Sequence, residues 1–185
     1  MKTDIILAGV GGQGVLSIAA VIAKAAVDAG FNARQSEVHG MAQRGGAVLA
    51  HLRISSGHIY SDLVPKGRAD LIISMEPLES LRYTSWLSQE GAIVSASEPF
   101  VNIGDYPALN DVHSLIKSFP KFRIVDAAEL AKKAGLPRAV NMVMVGAASP
   151  FLPVNLNALE KTIAGLFANR EPALNIAAFR SGCPA

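Results

Sequence analysis

Eleven consecutive residues, Ser36-Glu37-Val38-His39-Gly40-Met41-Ala42-Gln43-Arg44-Gly45-Gly46, set a carboxylate, an imidazole, a carboxamide and a guanidinium among three glycines. A guanidinium at Arg44 suits a bidentate clamp on a carboxylate or phosphate. An imidazole at His39 suits proton transfer near neutral pH. The carboxamide of Gln43 donates and accepts without changing charge. Gly45 and Gly46 let the backbone come close to a ligand or to another surface. Arg44 has a blander use as well, an ion pair with Glu37 that only stiffens the loop. No apolar period runs through the stretch. It therefore reads as a loop held between strands, a common place for binding groups, or else as a solvated connection.

A second cluster precedes it. Gly9, Gly11, Gly12 and Gly14 surround Gln13 between an apolar run and a helical pattern. The spacing Gly9-x-Gly11-x-x-Gly14 fits a turn that closes on a pyrophosphate at a helix N-terminus. A positive φ and a close approach are expected at Gly11. Glu37 lies 23 residues beyond Gly14, roughly where a ribose-binding acid would sit. Three uses stay open: an NAD or FAD site, a site for another anionic group such as the phosphate of a cofactor shared with a partner, or tight strand–helix packing. Gln13 is expected to project its amide into the same crevice, together with Gln43.

Other polar residues are weaker candidates. Glu76 follows an apolar run and is expected to line that crevice, whereas Glu79 reads as a surface charge beside Arg82. His51 and His58 lack a third ligand at useful spacing, so no metal site is expected. His113 is expected to be solvated. Neither a P-loop nor a G-x-S-x-G elbow occurs, and no thiamine-diphosphate motif is recognisable.

The elements that must position these groups follow from periodicity and punctuation. Asp4–Gly9 reads as a buried strand, Val15–Ala29 as a helix stopped by Gly30, and Asn32–Ser36 as a second strand, together a right-handed βαβ unit. Ala47–Ile54 and His58–Asp62 flank Ser55-Ser56-Gly57 and read as a hairpin. Ala69–Ser74 is expected to be a central parallel strand. Pro77 starts a helix running to about Leu87, and Ala92–Ser97 is a strand. Residues 98–110 look irregular. Phe122–Val125 is a last strand, followed by a helix over Ala127–Ala134 capped by Asp126. Helices are then expected over Arg138–Ala148, Asn155–Ala168 and Pro172–Arg180. The sum is an α/β fold: a three-layer Rossmann-like sandwich with a mostly parallel sheet, an antiparallel hairpin and a helical C-terminal third. No linker divides it, so residues 1–185 read as one domain.

Composition narrows the function. A net charge of +2 with no basic run argues against nucleic acid and anionic membranes. No apolar run approaches a membrane span, and the N-terminal run is too short for a signal-peptide core. Cys183 is the only cysteine, so neither an internal disulfide nor a four-cysteine iron–sulfur cluster can form on this chain. A cytoplasmic location is expected. Half the residues are hydrophobic and 17% are charged, which fits either a well-filled α/β core or a surface that meets a partner.

Taken together, GVGGQGVL over residues 9–16, the eleven-residue loop, ADLIISMEPLESLR over 69–82 and NMVMVGA over 141–147 resemble the gamma-type subunits of 2-oxoacid:ferredoxin oxidoreductases. The loop is most similar to that of the beta subunit of indolepyruvate ferredoxin oxidoreductases. The resemblance covers nearly the whole chain. It implies a subunit that binds a large catalytic partner, serves ferredoxin through the complex, and is inactive alone. It also implies oxidative decarboxylation of a 2-oxoacid, aryl pyruvates favoured, to an acyl-coenzyme A. Thiamine diphosphate, iron–sulfur clusters and coenzyme A would belong to the complex, with none bound tightly here. His39 and Arg44 are then the catalytic candidates. Gly9, Gly11, Gly12, Gln13, Gly14, Glu37, Gln43, Gly45 and Gly46 are the binding candidates. The rival is a stand-alone Rossmann-type nucleotide-binding protein.

Overall fold

A six-stranded sheet in the order β2-β3-β1-β4-β5-β6 forms the middle layer. The computed structural model describes residues 1–39, 45–101 and 103–184, with His39 described by its backbone alone. The strands are β1 (Lys2–Val10), β2 (Asn32–His39), β3 (Ala47–Ser55), β4 (Ala69–Ser74), β5 (Leu87–Ala96) and β6 (Phe122–Val125). β1, β4, β5 and β6 are parallel neighbours, so their carboxyl ends share one edge. β3 runs antiparallel between β1 and β2.

Among the described residues seven helices cover the two faces. One layer holds α1 (Val15–Asp28), α4 (Ala127–Lys133), α5 (Val140–Ala148), α6 (Leu156–Leu166) and α7 (Pro172–Gly182). They pack on Ile5, Leu7, Leu71, Ile73 and Val94 from alternate strand positions. The opposite layer holds α2 (Pro77–Arg82) and α3 (Leu109–Lys117), on Ile6, Ile72 and Ile93. Strand side chains alternate between faces, so a run such as Ile5-Ile6-Leu7 supplies both cores at once. α5 is buried from Met142 to Ala148. It lies against α7 closely enough that a Cβ on Gly146 or Gly182 would strike a facing backbone carbonyl.

Four expectations change. β1 and β2 point the same way but are not neighbours, because β3 sits between them. The sequence explains the ranking. β3 buries Val48, Ala50, Leu52 and Ile54 on one face. β2 carries Arg34, Gln35 and Glu37 in exposed positions and belongs at an edge. The hairpin partner of β3 is therefore β2, not His58–Asp62, which forms no strand. Both edges of β3 are already taken. The 58–64 segment is held by side chains instead: Arg53 donates to the carbonyls of Ser61 and Leu63, and His51 Nδ1 accepts from the Val64 amide.

The helix from Pro77 stops at Arg82, and a short 3-10 turn over Thr84–Trp86 leads into β5 at Leu87. Finally, α3 occupies residues assigned to no element, with Val112 and Ile116 buried one turn apart. Among the described residues no helix is long and apolar enough to cross a membrane.

Candidate functional site

β1 ends at Val10 and hands the chain to α1 in one helical layer, while β4 ends at Ser74 and hands it to α2 in the other. A crevice opens where neighbouring parallel strands part in this way, and ligands of open α/β sheets collect there. The glycine turn forms one lip. Gly12 and Gly14 hold φ of 100° and 80°, which glycine adopts at little cost. Gly11 is not a positive-φ residue, contrary to expectation. Its role is pairing: its amide donates to Gly46 O at 2.8 Å, and its carbonyl accepts from Gly45 N at 3.4 Å. The glycine turn and the closing leg of the eleven-residue loop are thus one structure. At Gly9 a Cβ would sit 2.8 Å from Val15 and 3.1 Å from Met75, so that glycine serves packing.

Gln13 does not reach into the crevice as a free amide. Its Oε1 accepts from Val10 N at 2.7 Å and its Nε2 donates to Met75 O at 3.2 Å, tying the ends of β1 and β4 together. Its stem still lines a cleft of about 370 Å³ with Gly12, Met75, Ala96, Pro99, Phe100, Ala127, Arg138 and Val140. Glu98 adds a carboxylate to this wall, and Arg138 is ion-paired with Glu171. The lining contains no nucleophile beside a base. Its chemistry is that of a mostly apolar slot with glycine backbone at one end, suited to binding.

Glu37 takes a different place from the one its spacing suggests. It lies on edge strand β2 opposite Ala50 of β3. One whole strand separates it from β1, so β2 stands roughly 10 Å away at about 4.8 Å per strand spacing. The acid of a dinucleotide site sits at the end of the strand next to the glycine loop, and here that neighbour is antiparallel β3. Gln35 Nε2 approaches Glu37 Oε2 at 3.4 Å. Gln43 and Arg44 lie outside the described residues, as does the side chain of His39.

With this geometry in place, known proteins narrow its meaning. Residues 4–185 match the family model for pyruvate ferredoxin/flavodoxin oxidoreductase. The chain belongs to this family. It is similar to the indolepyruvate oxidoreductase subunit IorB of Archaeoglobus fulgidus, at 37% identity over 98% of this chain and 94% of the other. Its fold is shared with the gamma subunit of a keto/oxoacid ferredoxin oxidoreductase from Geobacter sulfurreducens, with a TM-score of 0.71, 23% identity, and coverage of 97% and 95%. It is also shared with part of a 2-oxoglutarate:ferredoxin oxidoreductase from Magnetococcus marinus. There the TM-score is 0.75 at 22% identity, and this chain, covered to 98%, spans 30% of that longer one. The chain is thus related over nearly its whole length to subunits of 2-oxoacid:ferredoxin oxidoreductases.

In this oxidoreductase subunit the second strand end differs from its sequence reading. Glu76 is 1% exposed and does not line the cleft. Its Oε2 accepts from Glu79 N at 2.7 Å and caps α2. Its Oε1 accepts from Phe100 N at 3.4 Å and from the Tyr106 hydroxyl. The carboxylate therefore anchors Phe100 and Tyr106, and Phe100 with Glu98 and Pro99 supplies one cleft wall. Burial, reinforced by the bond to Glu76, pushes the Tyr106 hydroxyl well above the usual tyrosine range.

Glu79 is not a surface charge. It is 3% exposed, accepts from Arg82 Nε at 3.1 Å, and leaves Oε2 buried without a partner among the described residues. Burial pushes its carboxyl above the usual value. Arg82 opposes this and Glu76 adds to it.

The histidines are structural where described. His51 is buried against Trp86, and burial together with Arg53 lowers its pKa. His58 packs edge-on against Tyr60. His113 is half-buried, not solvated, and its Nε2 meets Ser97 O at 2.9 Å. No group of three or more His, Cys, Asp or Glu gathers as a metal site among the described residues. Arg138, Met75 and Phe100 were missed as cleft residues. Each is a lone side chain without a motif, brought in by the chain's return to the carboxyl edge.

Proposed function

We propose that this chain is the indolepyruvate-type subunit of a 2-oxoacid:ferredoxin oxidoreductase. The complex would oxidatively decarboxylate an aryl pyruvate to an acyl-coenzyme A and pass the electrons to ferredoxin. The reading rests chiefly on one observation: the Gly11 turn and the Gly45-Gly46 leg of the polar loop are hydrogen-bonded into one surface at the carboxyl edge. A similar subunit named for indolepyruvate, aligned over nearly the full length of both chains, supports the choice of substrate.

Residues 1–185 act as one gamma-type domain in the cytoplasm. A single cysteine leaves iron–sulfur ligation to other subunits. Thiamine diphosphate and coenzyme A belong to the assembled enzyme. His39, Gln43 and Arg44 would face the large catalytic subunit or its ligand, with Gly12, Gly45 and Gly46 allowing close approach. Gly9, Gly14 and Gln13 hold the lip in shape, and Glu37 supports the loop from β2.

The test is purification of the native protein under anaerobic conditions with identification of what accompanies it. Ferredoxin reduction by that complex is then measured with indolepyruvate, phenylpyruvate, pyruvate and 2-oxoglutarate. Co-purification of a large subunit and preference for the aryl substrates are expected. A chain that purifies alone and binds NAD, NADP or FAD saturably at micromolar concentration would establish the stand-alone nucleotide-binding reading instead.

A further inference from the structure

A second cleft, of about 470 Å³, lies on the α1 side of the sheet. It is lined by Ser17, Arg138, Asn141, Phe167, Arg170 and Asn175. Three helices begin at it. Ser17 is in the first turn of α1, Arg138 and Asn141 flank the start of α5, and Arg170 and Asn175 flank the start of α7. None of these three N-termini has an N-cap side chain that accepts from its first turn or an acid within that turn, although the N-cap residue of α7 is Glu171. By contrast α2, α4 and α6 are capped by Glu76, Asp126 and Asn155. Uncapped N-termini present unpaired N–H groups and the positive end of the helix dipole.

The side chains point to the same chemistry. Asn141 Oδ1 accepts from Met142 N at 3.0 Å, leaving its amide N–H groups without an acceptor among the described residues. The Ser17 hydroxyl and the Arg170 guanidinium also have no partner there. Arg138 is ion-paired with Glu171, the N-cap residue of α7, so Arg170 is the guanidinium of the lining left without a carboxylate among the described residues. Asn175 is 4% exposed. It spends its amide N–H groups on the carbonyls of Arg170 and Glu171. Its Oδ1 has no donor among the described residues and is free to accept from a ligand hydroxyl.

We infer that this cleft is a binding site for a phosphomonoester carrying hydroxyl groups, as in a sugar phosphate. The phosphate sits among Arg170, Asn141 and Ser17, where charge-assisted donors converge. A hydroxyl of the sugar donates to Asn175 Oδ1, and the half-buried Phe167 ring covers the carbon skeleton. The cleft adjoins the glycine turn through Asn141, which lies against Gly14, and through Arg138, which also lines the first cleft; the inference does not depend on the proposed function.

Calorimetric titration of the full chain with ribose 5-phosphate, inorganic phosphate and ribose tests it. Ribose 5-phosphate is expected to bind saturably with a dissociation constant of about 1 mM or tighter, inorganic phosphate more weakly, and ribose not at all. Added salt should weaken the binding, because Arg170 is exposed. Arg170→Glu should reduce affinity at least about tenfold, and Ser17→Ala should reduce it by a smaller factor. Circular dichroism checks the fold of each variant. If Arg170→Glu disturbs the fold, Arg170→Gln carries the test. No saturable binding of either phosphate would overturn the inference. Binding that is indifferent to both the Arg170 and Ser17 substitutions would overturn it as well, by placing the anion elsewhere.

Discussion

The ends of β1 and β4 are neighbours at one edge of the sheet, and both looked in the sequence like polar points aimed at a ligand. They are built in opposite ways. At the end of β1 the chain turns through glycines, with open space around Gly12 and backbone groups shared with Gly45 and Gly46. At the end of β4 two carboxylates are buried. One is used by the α2 cap and the 98–106 segment, and the other is held by Arg82. Charge near a crevice is therefore not evidence of a ligand. What separates the two ends is whether the polar groups are already engaged. At β1 the surface remains available to a partner, while at β4 the polar groups hold the wall in place.

That contrast fails most visibly if Glu76 proves dispensable. Glu76→Ala removes the α2 cap acceptor and strands the Tyr106 hydroxyl and the Phe100 and Glu79 amides. The loss should be about 3 kcal/mol, from the cap and the unsatisfied buried groups together. Urea denaturation of the isolated chain measures it. A loss below about 1 kcal/mol would mean that water replaces the carboxylate and that the β4 end is not structural.

At the other end the effect should fall on function. Arg44→Lys should leave the fold intact yet lower 2-oxoacid oxidation by the reconstituted complex at least tenfold, about 1.4 kcal/mol. Glu37→Gln is its control. An exposed Arg44–Glu37 pair that merely stiffens the loop is worth roughly 0–1 kcal/mol, and then both substitutions would be equally mild in steady-state assays. Subunit association, followed by gel filtration, separates lost assembly from lost turnover.

Gly12→Ala sharpens the comparison at the backbone. No atom obstructs the new methyl group, so the cost is only that of a left-handed conformation, about 1–2 kcal/mol in denaturation experiments. Gly14→Ala pays the same strain and also meets Asn141, 3.1 Å from the added Cβ. It should be the less stable of the two.

The smallest effect concerns Glu79. Burial raises its folded-state pKa above that of the unfolded chain. Its stabilising contribution is therefore complete below the ordinary glutamate value of 4.5 and is lost as pH rises through the folded value. Glu79→Gln should flatten that decline, leaving the variant no less stable than the parent at pH 7. Denaturation midpoints from pH 4 to pH 8 report it. A variant markedly weaker at pH 7 would show instead that the pair with Arg82 outweighs the burial of the charge.

Local signals determined a good deal. Ala69–Ser74 and Phe122–Val125 are strands over the residues expected. Asp126 caps α4, and Gly30 follows α1 with positive φ. Each depends on a few adjacent residues and on backbone rules that hold wherever the segment lies. The glycine turn was legible for the same reason. Of the eleven residues read as a loop, Ser36–His39 instead belong to β2, which runs past its expected end paired with β3, and residues 40–44 lie outside the described residues, so that stretch was legible as a family signal only. What only the tertiary structure decided was which strand lies beside which, and which charges are buried. β3 displaces β2 from the side of β1 because its apolar face is the better covering for α1, a competition between segments distant in sequence. Glu37 moved from the glycine turn as a consequence. Glu76 became internal because the Phe100 amide and the Tyr106 hydroxyl, distant in sequence, bond to its carboxylate, and Arg138 came to the cleft through the packing that places α5. Secondary structure is written in short-range preference, whereas burial and neighbourhood come from long-range packing that no single stretch of the chain encodes.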